Sequence, residues 1–455
     1  MRIKPHSVLI PFVVFLLAAG VVPSPGRDAG TGGGQSFVAP GSPPAIPQAF
    51  RITPAQSGKY YYRDAVYNSR TDRFIAFYVE SFARDTIYSR VFDAKGRALS
   101  GPVKIFDMNP KTMGWFSVAY NPVEDEIFLV GAEGTYKEVK GIPLDGSGHL
   151  RNGVLTVIQI KPETTTYSAI YPSVNWIPAK NQYAVTWAHS WWQKPLDPLN
   201  GHYLAVYDKD FVRVAGPRHV LQLTAKNDNR RSFLCPLDNG LLWGSAEDGA
   251  GTKLNPVVWL TDFKGKIVSG FGSKGFAYPE PAGGFGCFVR PVLDPDTGAV
   301  LLVWKIADQL FPWDQTKSVN HYRLMNSDGS FGTSIKTIPK KRPFQTAPRA
   351  VYLASEKRYF LICPEYEDVG TLDPRRFDFG GKLWGFYMDS RGNLVTKAGA
   401  SGAVPVPLTP TFTDPKVGMS LKSLAGPARD GSLFVAYELD QVSGQTAEAW
   451  GLIYK

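Results

Sequence analysis

The sequence predicts an all-β chain of seven repeated units, each a four-stranded antiparallel sheet. Three observations carry this. A turn of the form Asp-x-x-Gly recurs between two apolar runs. A second hairpin precedes each such turn, and its later strand is a short, strongly apolar run. No extended i, i+3, i+4 apolar stripe occurs anywhere, so long amphipathic helices are excluded. Glycine (45) and proline (36) supply the many tight turns that short strands need.

In chain order, Arg2 and Lys4 precede an apolar run from Val8 to Val22, broken by Pro11. That run is shorter than the roughly 20 residues of a membrane span. Ala18-Ala19-Gly20 offers small residues of the kind a signal peptidase reads, so residues 1–22 are expected to be an export signal. An uncleaved N-terminal anchor is the alternative. No cysteine lies nearby, which excludes a lipoprotein anchor. Residues 23–45 are rich in Gly, Pro and Ser and are expected to form a flexible leader. The repeats then occupy residues 46–455, with a secreted or periplasmic location expected.

The turn appears as Asp93-Ala94-Lys95-Gly96, Asp145-Gly146-Ser147-Gly148 and Asp262-Phe263-Lys264-Gly265. It returns as Asn326-Ser327-Asp328-Gly329 and Asp389-Ser390-Arg391-Gly392, with a degenerate Asp208-Lys209-Asp210-Phe211. Asp or Asn bonds the backbone two residues on, and Gly takes the left-handed conformation that closes the hairpin. Before each turn, runs such as Phe74–Tyr78, Tyr183–Trp187, Val300–Trp304, Tyr359–Cys363 and Leu433–Tyr437 read as strands buried on both faces. Units begin near Tyr60, Trp115, Ala169, Arg230, Cys287, Thr346 and Met419. The fourth fits the pattern least well, and without it the count is six.

The last unit is incomplete. Ala449-Trp450-Gly451-Leu452 repeats the pattern of Leu383-Trp384-Gly385-Phe386, yet no strand follows it. An unpaired apolar edge invites aggregation, so a strand from the stretch Ile46 to Thr53 is expected to complete the sheet. A sheet repeat closed by the chain start resembles a β-propeller, here seven-bladed with six blades as the alternative. The resemblance is to the architecture, of the kind found in secreted bacterial propeller repeats. There is no Gly-His…Trp-Asp pattern and no Ser-x-Asp-x-Gly-x-Thr-Trp box of the sialidases. Fold alone therefore says little about activity.

The resemblance implies that the first strand of each blade lines a central channel. Aligned on the following turn, those strands place Asp64, Ser117, Ser173, Arg231, Arg290, Arg349 and Lys422 at one position. Four consecutive blades thus offer a cation. Converging cations persist only if an anion, a carboxylate or water balances them. One reading is an anion-binding funnel at the channel mouth. The other is pairing with Asp64, Glu365, Glu367 or Glu438.

Three long loops, Ser190–Gly201, Lys305–Asn320 and Pro364–Lys382, share one rim. They carry Trp191, Trp192, Phe311 and Trp313, which either stack on sugar rings or cap their own loops. Rim carboxylates are Asp308, Asp314, Glu365, Glu367, Asp368 and Glu438; of these Glu365, Glu367, Asp314 and Glu438 are the candidates for acid/base work. His189, His202 and His321 also fall near the rim, with His202 and His321 at one position two blades apart. No nucleophile motif or phosphate loop accompanies them. Cys235, Cys287 and Cys363 read as buried thiols, not a disulfide framework, and no cofactor or metal motif is present. The net charge of +10 favours acidic partners. Its scatter, with only Lys340-Lys341-Arg342 clustered, argues against nucleic acid. Three functions stay open: a binder of an acidic glycan or other anion, a carbohydrate-active hydrolase or lyase, and a protein-interaction scaffold using the long loops.

Overall fold

The computed structural model describes residues 46–54, 60–81, 85–108, 116–133, 137–161, 168–190, 197–222, 232–248, 254–280, 285–307, 318–342, 344–366, 381–412, 417–441 and 447–455. The expected signal and leader lie outside them.

Asx-type turns organise each outer hairpin. In the first, Asp93 Oδ1 accepts the amides of Lys95 and Arg97, both at 2.9 Å, while Gly96 N–H donates to Asp93 O at 3.0 Å. Gly96, Gly148, Gly265, Gly329 and Gly392 all hold φ between +76° and +86°. The degenerate turn places Phe211 there at φ 62° instead. A bulky residue in that conformation is strained. Its ring stacks on Tyr183 at 5.4 Å and packs against Phe128 at 5.0 Å, which offsets the strain.

Seven sheets result, and they are blades 1 to 7 in chain order. Blade 1 comprises Tyr60–Asn68, Arg73–Ser81, Asp85–Asp93 and Val103–Met108. The inner strands of blades 2 to 5 are Phe116–Asn121, Ser168–Ile177, Phe233–Leu237 and Phe285–Leu293. In blade 6 the inner strand is split into Phe344–Gln345 and Arg349–Leu353. Blade 7 runs Val417–Ala425, Leu433–Gln441 and Ala447–Tyr454. Inner strands of successive blades touch one another all the way round, including blade 7 with blade 1. The molecule is a seven-bladed β-propeller. The fourth unit, the weakest in sequence, is a full blade.

Second strands form the core. Phe74 to Val79, Leu301 to Trp304 and Tyr359 to Cys363 are all within 1% of complete burial. Each such aliphatic or aromatic side chain contributes about 1.5–3 kcal/mol on burial. At the turn-bearing end, side chains lock four of the seven blade junctions. Asn68 donates to Asp125 Oδ1 at 2.8 Å, Asn121 to Asn181 at 2.8 Å, Tyr352 to Asp296 at 2.8 Å, and Arg429 to Ser69 O at 2.8 Å.

The seam closes as the sequence expects. Ala49–Arg51 pairs antiparallel with the last strand, with Ala49 opposite Leu452 and Arg51 opposite Trp450. Arg51 also forms an ion pair with Glu448 at 2.6 Å. Phe50 lies against Phe92 and Phe434, with ring centroids 5.2 and 5.7 Å away. Its ring fits only because two neighbours are glycines. A Cβ on Gly96 would sit 2.3 Å from it, and one on Gly451 2.7 Å.

Cys235 and Cys363 are buried free thiols, as expected, and burial pushes the Cys235 thiol up to about 12. The side chain of Cys287 lies outside the described residues. Among those residues no helix is long and apolar enough to cross a membrane.

Candidate functional site

The inner strands do not run in uniform register, and that irregularity builds the site. Blades 1, 3, 5 and 7 carry a bulge, between Tyr62 and Asp64, Ile170 and Ser173, Cys287 and Arg290, and Leu421 and Ser423. A bulge leaves residues unpaired and re-aims the side chains next to it. Just after the break stand Asp64 opposite Phe77, Ser173 opposite Thr186, and Arg290 opposite Val303. Ser117 opposite Val130 and Arg349 opposite Ile362 hold the same position in blades 2 and 6. Lys422 is the extra residue of the blade 7 bulge. Tyr171, inside the blade 3 bulge, is held at φ 52°. Nothing in the sequence beyond its place before Pro172 marked it.

Blade 4 departs from the expected alignment. Its described inner strand, Phe233–Leu237, pairs without a register shift, and the equivalent position is Phe233, opposite Gly244. Arg231 comes two residues earlier and lies outside the described residues.

These side chains form a belt around the inner wall. Arg290 of blade 5 lies over the Phe233 ring of blade 4, 4.4 Å from its centroid, and donates through Nη1 to Pro348 O of blade 6 at 2.8 Å. Its guanidinium thus bridges both neighbouring blades. Arg349 of blade 6 donates through Nη2 to Lys422 O of blade 7. Lys422 Nζ contacts Glu438 Oε2 at 2.6 Å, and that carboxylate is only 2% exposed. Ser117 Oγ of blade 2 donates to Asp64 Oδ2 of blade 1 at 3.2 Å. Burial raises the Asp64 pKa above the usual carboxylate value. The Val118 amide and the Arg349 charge oppose that rise without cancelling it.

The belt therefore combines both sequence readings. Lys422 is paired with Glu438, and Arg349 acts on Asp64. Arg290 and Arg349 are oriented by neutral carbonyls, which fix a guanidinium without removing its charge. Asp64 is the fifth of nine residues in its strand, so the belt lies part-way down the wall, below the mouth.

Two carboxylate candidates are buried. Glu365, fully buried, accepts the Lys341 amide at 3.0 and 3.1 Å and Gln345 Nε2 at 2.9 Å, which ties segment 339–345 across blade 6. Burial raises its pKa. Glu438 is held by Lys422. Glu367, Asp314, Asp308 and Asp368, with Trp191, Trp192, Phe311 and Trp313, lie outside the described residues.

The histidines are packed. His321 faces Trp304 across the hairpin, whereas His202 faces Ala188, one step from the Trp187–Tyr203 pair. His202 and His321 are thus not equivalent, and the one-residue slip puts them on opposite faces of their blades. His321 Nδ1 lies 2.9 Å from Glu280 Oε2, which also accepts Trp304 Nε1 at 3.0 Å. His202 packs against Trp259 and Trp243, with centroids 5.5 and 6.1 Å away. Among the described residues no group of three or more His, Cys, Asp or Glu is placed to hold a metal.

His189 lies 4.2 Å from the Tyr203 ring, and burial, with Lys161 and His219 nearby, depresses its pKa to about 3. The unfolded chain therefore binds more protons between about 3 and 6.5. Stability is full above pH 6.5 and falls as pH drops through that window. Urea titrations from pH 7.5 to 4.5 are expected to show this fall, and His189→Gln to flatten it. An equally steep fall in the variant would refute this role.

Two clefts open at the turn-bearing end, of about 460 and 330 Å³, sharing Gly298 and Ser327. The belt residues line neither.

No family model matches the chain, and no curated protein matches it. Several solved structures are similar to it. A protein of unknown function from Dyadobacter fermentans is 11% identical, with 90% of this chain and 99% of that one covered and a TM-score of 0.48. The BP39L lectin from Burkholderia pseudomallei is 13% identical over 86% and 98%, with a TM-score of 0.48. The β-propeller domain of the Trilobed protease from Pyrococcus furiosus is 9% identical over 87% and 95%, with a TM-score of 0.45. Such likeness bears on the fold alone.

Proposed function

We propose that this propeller is a secreted or periplasmic binding protein that takes an anionic ligand, an acidic glycan, through the channel mouth on its long-loop face. One observation carries this reading: Arg290 and Arg349 stand at one register position on adjacent inner strands, each oriented by a carbonyl of the next blade. Guanidinium presents a planar fork suited to carboxylate or sulfate. Among the described residues, the cations Arg290, Arg349 and Lys422 of the belt outnumber its carboxylates, Asp64 and Glu438. Arg231 would extend the cationic wall. Trp191, Trp192 and Trp313 would stack on sugar rings at the rim. Nucleic acid is not part of this reading.

A glycan array of acidic and neutral oligosaccharides tests it. Wild type is expected to retain acidic chains selectively, and Arg290→Ala and Arg349→Ala each to weaken binding roughly tenfold or more. Equal binding by all three proteins would overturn the reading. The hydrolase or lyase reading loses Glu365 and Glu438, which are buried in structural contacts, and now needs Glu367 with Asp314. Release of shortened chains from a bound acidic polysaccharide would favour it. Retention of a protein with no glycan bound would favour the scaffold.

A further inference from the structure

We propose that the turn-bearing end of blades 4 to 6 holds a separate ligand site, a two-lobed groove that takes a small sugar acid, its carboxylate on Arg391 and the hydroxyls of its far ring on Asp238 and Asn239. This goes beyond the channel reading and does not depend on it.

Hairpin lengths open the groove. Blade 4 turns through only Asp238 and Asn239, whereas blade 5 spends residues 294–299 on the same turn. A short turn beside a long one leaves a step, and the lobes of about 330 and 460 Å³ lie along it. Each is within the size range of small-ligand sites. The longer turn is pinned from within. Asp294, fully buried, accepts the amides of Asp296 at 2.9 Å and Thr297 at 3.3 Å, and the Thr297 hydroxyl at 2.8 Å. Tyr352 of blade 6 holds Asp296 from the other side. The groove is thus formed before a ligand arrives, which spares binding the cost of ordering a loop.

The two lobes differ in chemistry. Thr297, Asn326, Ser327, Ser390 and Arg391 line the larger, hydroxyls and an amide around one guanidinium, and no described carboxylate joins them. The sequence keeps it so: the turn that starts with Asp at 93, 145, 208, 262 and 389 starts here with Asn326. The nearest acids are committed to their own turns. Asp389 accepts the amides of Arg391 at 3.0 Å and Asn393 at 2.7 Å, and Asp328 accepts the Ser330 hydroxyl at 2.6 Å. Lys336 Nζ, 2.7 Å from Gly392 O, adds a second cation beside Arg391. Guanidinium is matched to a carboxylate. The smaller lobe presents Asp238 and Asn239 beside Leu293 and Pro295. A carboxylate next to a carboxamide accepts from and donates to neighbouring hydroxyls, and the apolar pair faces the C–H bonds of a ring. The side chains of Asp238, Asn239, Ser390 and Arg391 have no partner among the described residues, so the fold does not depend on them. The lobes meet at Gly298 and Ser327. Gly298 holds φ 73°, and a Cβ there would meet nothing within 4 Å. A side chain at 298 would therefore stand in the passage between the lobes.

Titration calorimetry with lactobionate, a disaccharide carrying one carboxylate, and with lactitol, its neutral counterpart, tests this. Wild type is expected to bind lactobionate about tenfold more tightly than lactitol. Arg391→Gln is expected to remove that preference, and Asp238→Ala to weaken both ligands roughly tenfold. Gly298→Asn, a residue that tolerates the left-handed conformation, is expected to abolish binding with the urea midpoint unchanged. Arg290→Ala, in the channel, is expected to leave the titration as in wild type. No binding of lactobionate by wild type, equal binding of the two ligands, or a preference that survives Arg391→Gln would overturn the site, and so would binding by a folded Gly298→Asn. Loss of binding in Arg290→Ala would move the ligand to the channel and overturn it as well.

Discussion

Phe50→Ala is expected to lower the unfolding free energy by about 3 kcal/mol, at the lower end of buried Phe truncations because the ring is partly exposed. The ring touches Phe92 and Phe434 and fills the space left by Gly96 and Gly451, so its loss leaves a cavity that no adjacent side chain can close. Beyond the three residues that pair across this seam, Ile52 N–H donates to Ala449 O at 2.9 Å and Arg90 Nη1 donates to Ile52 O at 2.9 Å, so the strand stays anchored while the cavity forms. Urea denaturation followed by tryptophan fluorescence measures the change. A difference below about 0.5 kcal/mol, the size of a neutral surface substitution, would mean that the seam does not hold the ring.

Lys422→Met is expected to destabilise the protein by about 3 kcal/mol, because it strands the buried Glu438 carboxylate without its ammonium. The double variant Lys422→Met, Glu438→Leu is expected to recover most of that loss, since well-packed apolar replacements of a buried pair are often neutral. A double-mutant cycle by chemical denaturation reads both. Two single losses that simply add would show that the pair is not coupled.

Most of the fold could be read from the sequence. The turn signal is local chemistry: an Asp bonding its own backbone, and a Gly at positive φ. The truncated copy at Trp450-Gly451 pointed to Ile46–Thr53, and the pairing of Arg51 with Trp450 agrees. The site was legible only in outline, because bulges leave no mark in an apolar pattern. Blade 4 turns through only Asp238 and Asn239, where blades 1, 2, 3 and 6 place four residues between the paired ends, so counting from the turn selected Arg231 where the wall presents Phe233. Loop length hid a further difference: His202 and His321, merged in the sequence, differ by one register step. Pairing was equally hidden. That Glu438 meets Lys422 depends on which residue of the bulge is the extra one. Glu365 looked like a rim acid because the amides that bury it come from a separate segment, residues 339–345.

The seam also governs timing. Arg51 and Glu448 are 397 positions apart, and every other blade separates them along the chain. On a growing chain, blade 1 must wait with one flank bare until blade 7 is made, and contacts so distant form slowly. For that interval a ring-shaped molecule is an open arc, with Phe74 and Phe92 uncovered and prone to stick to other nascent copies.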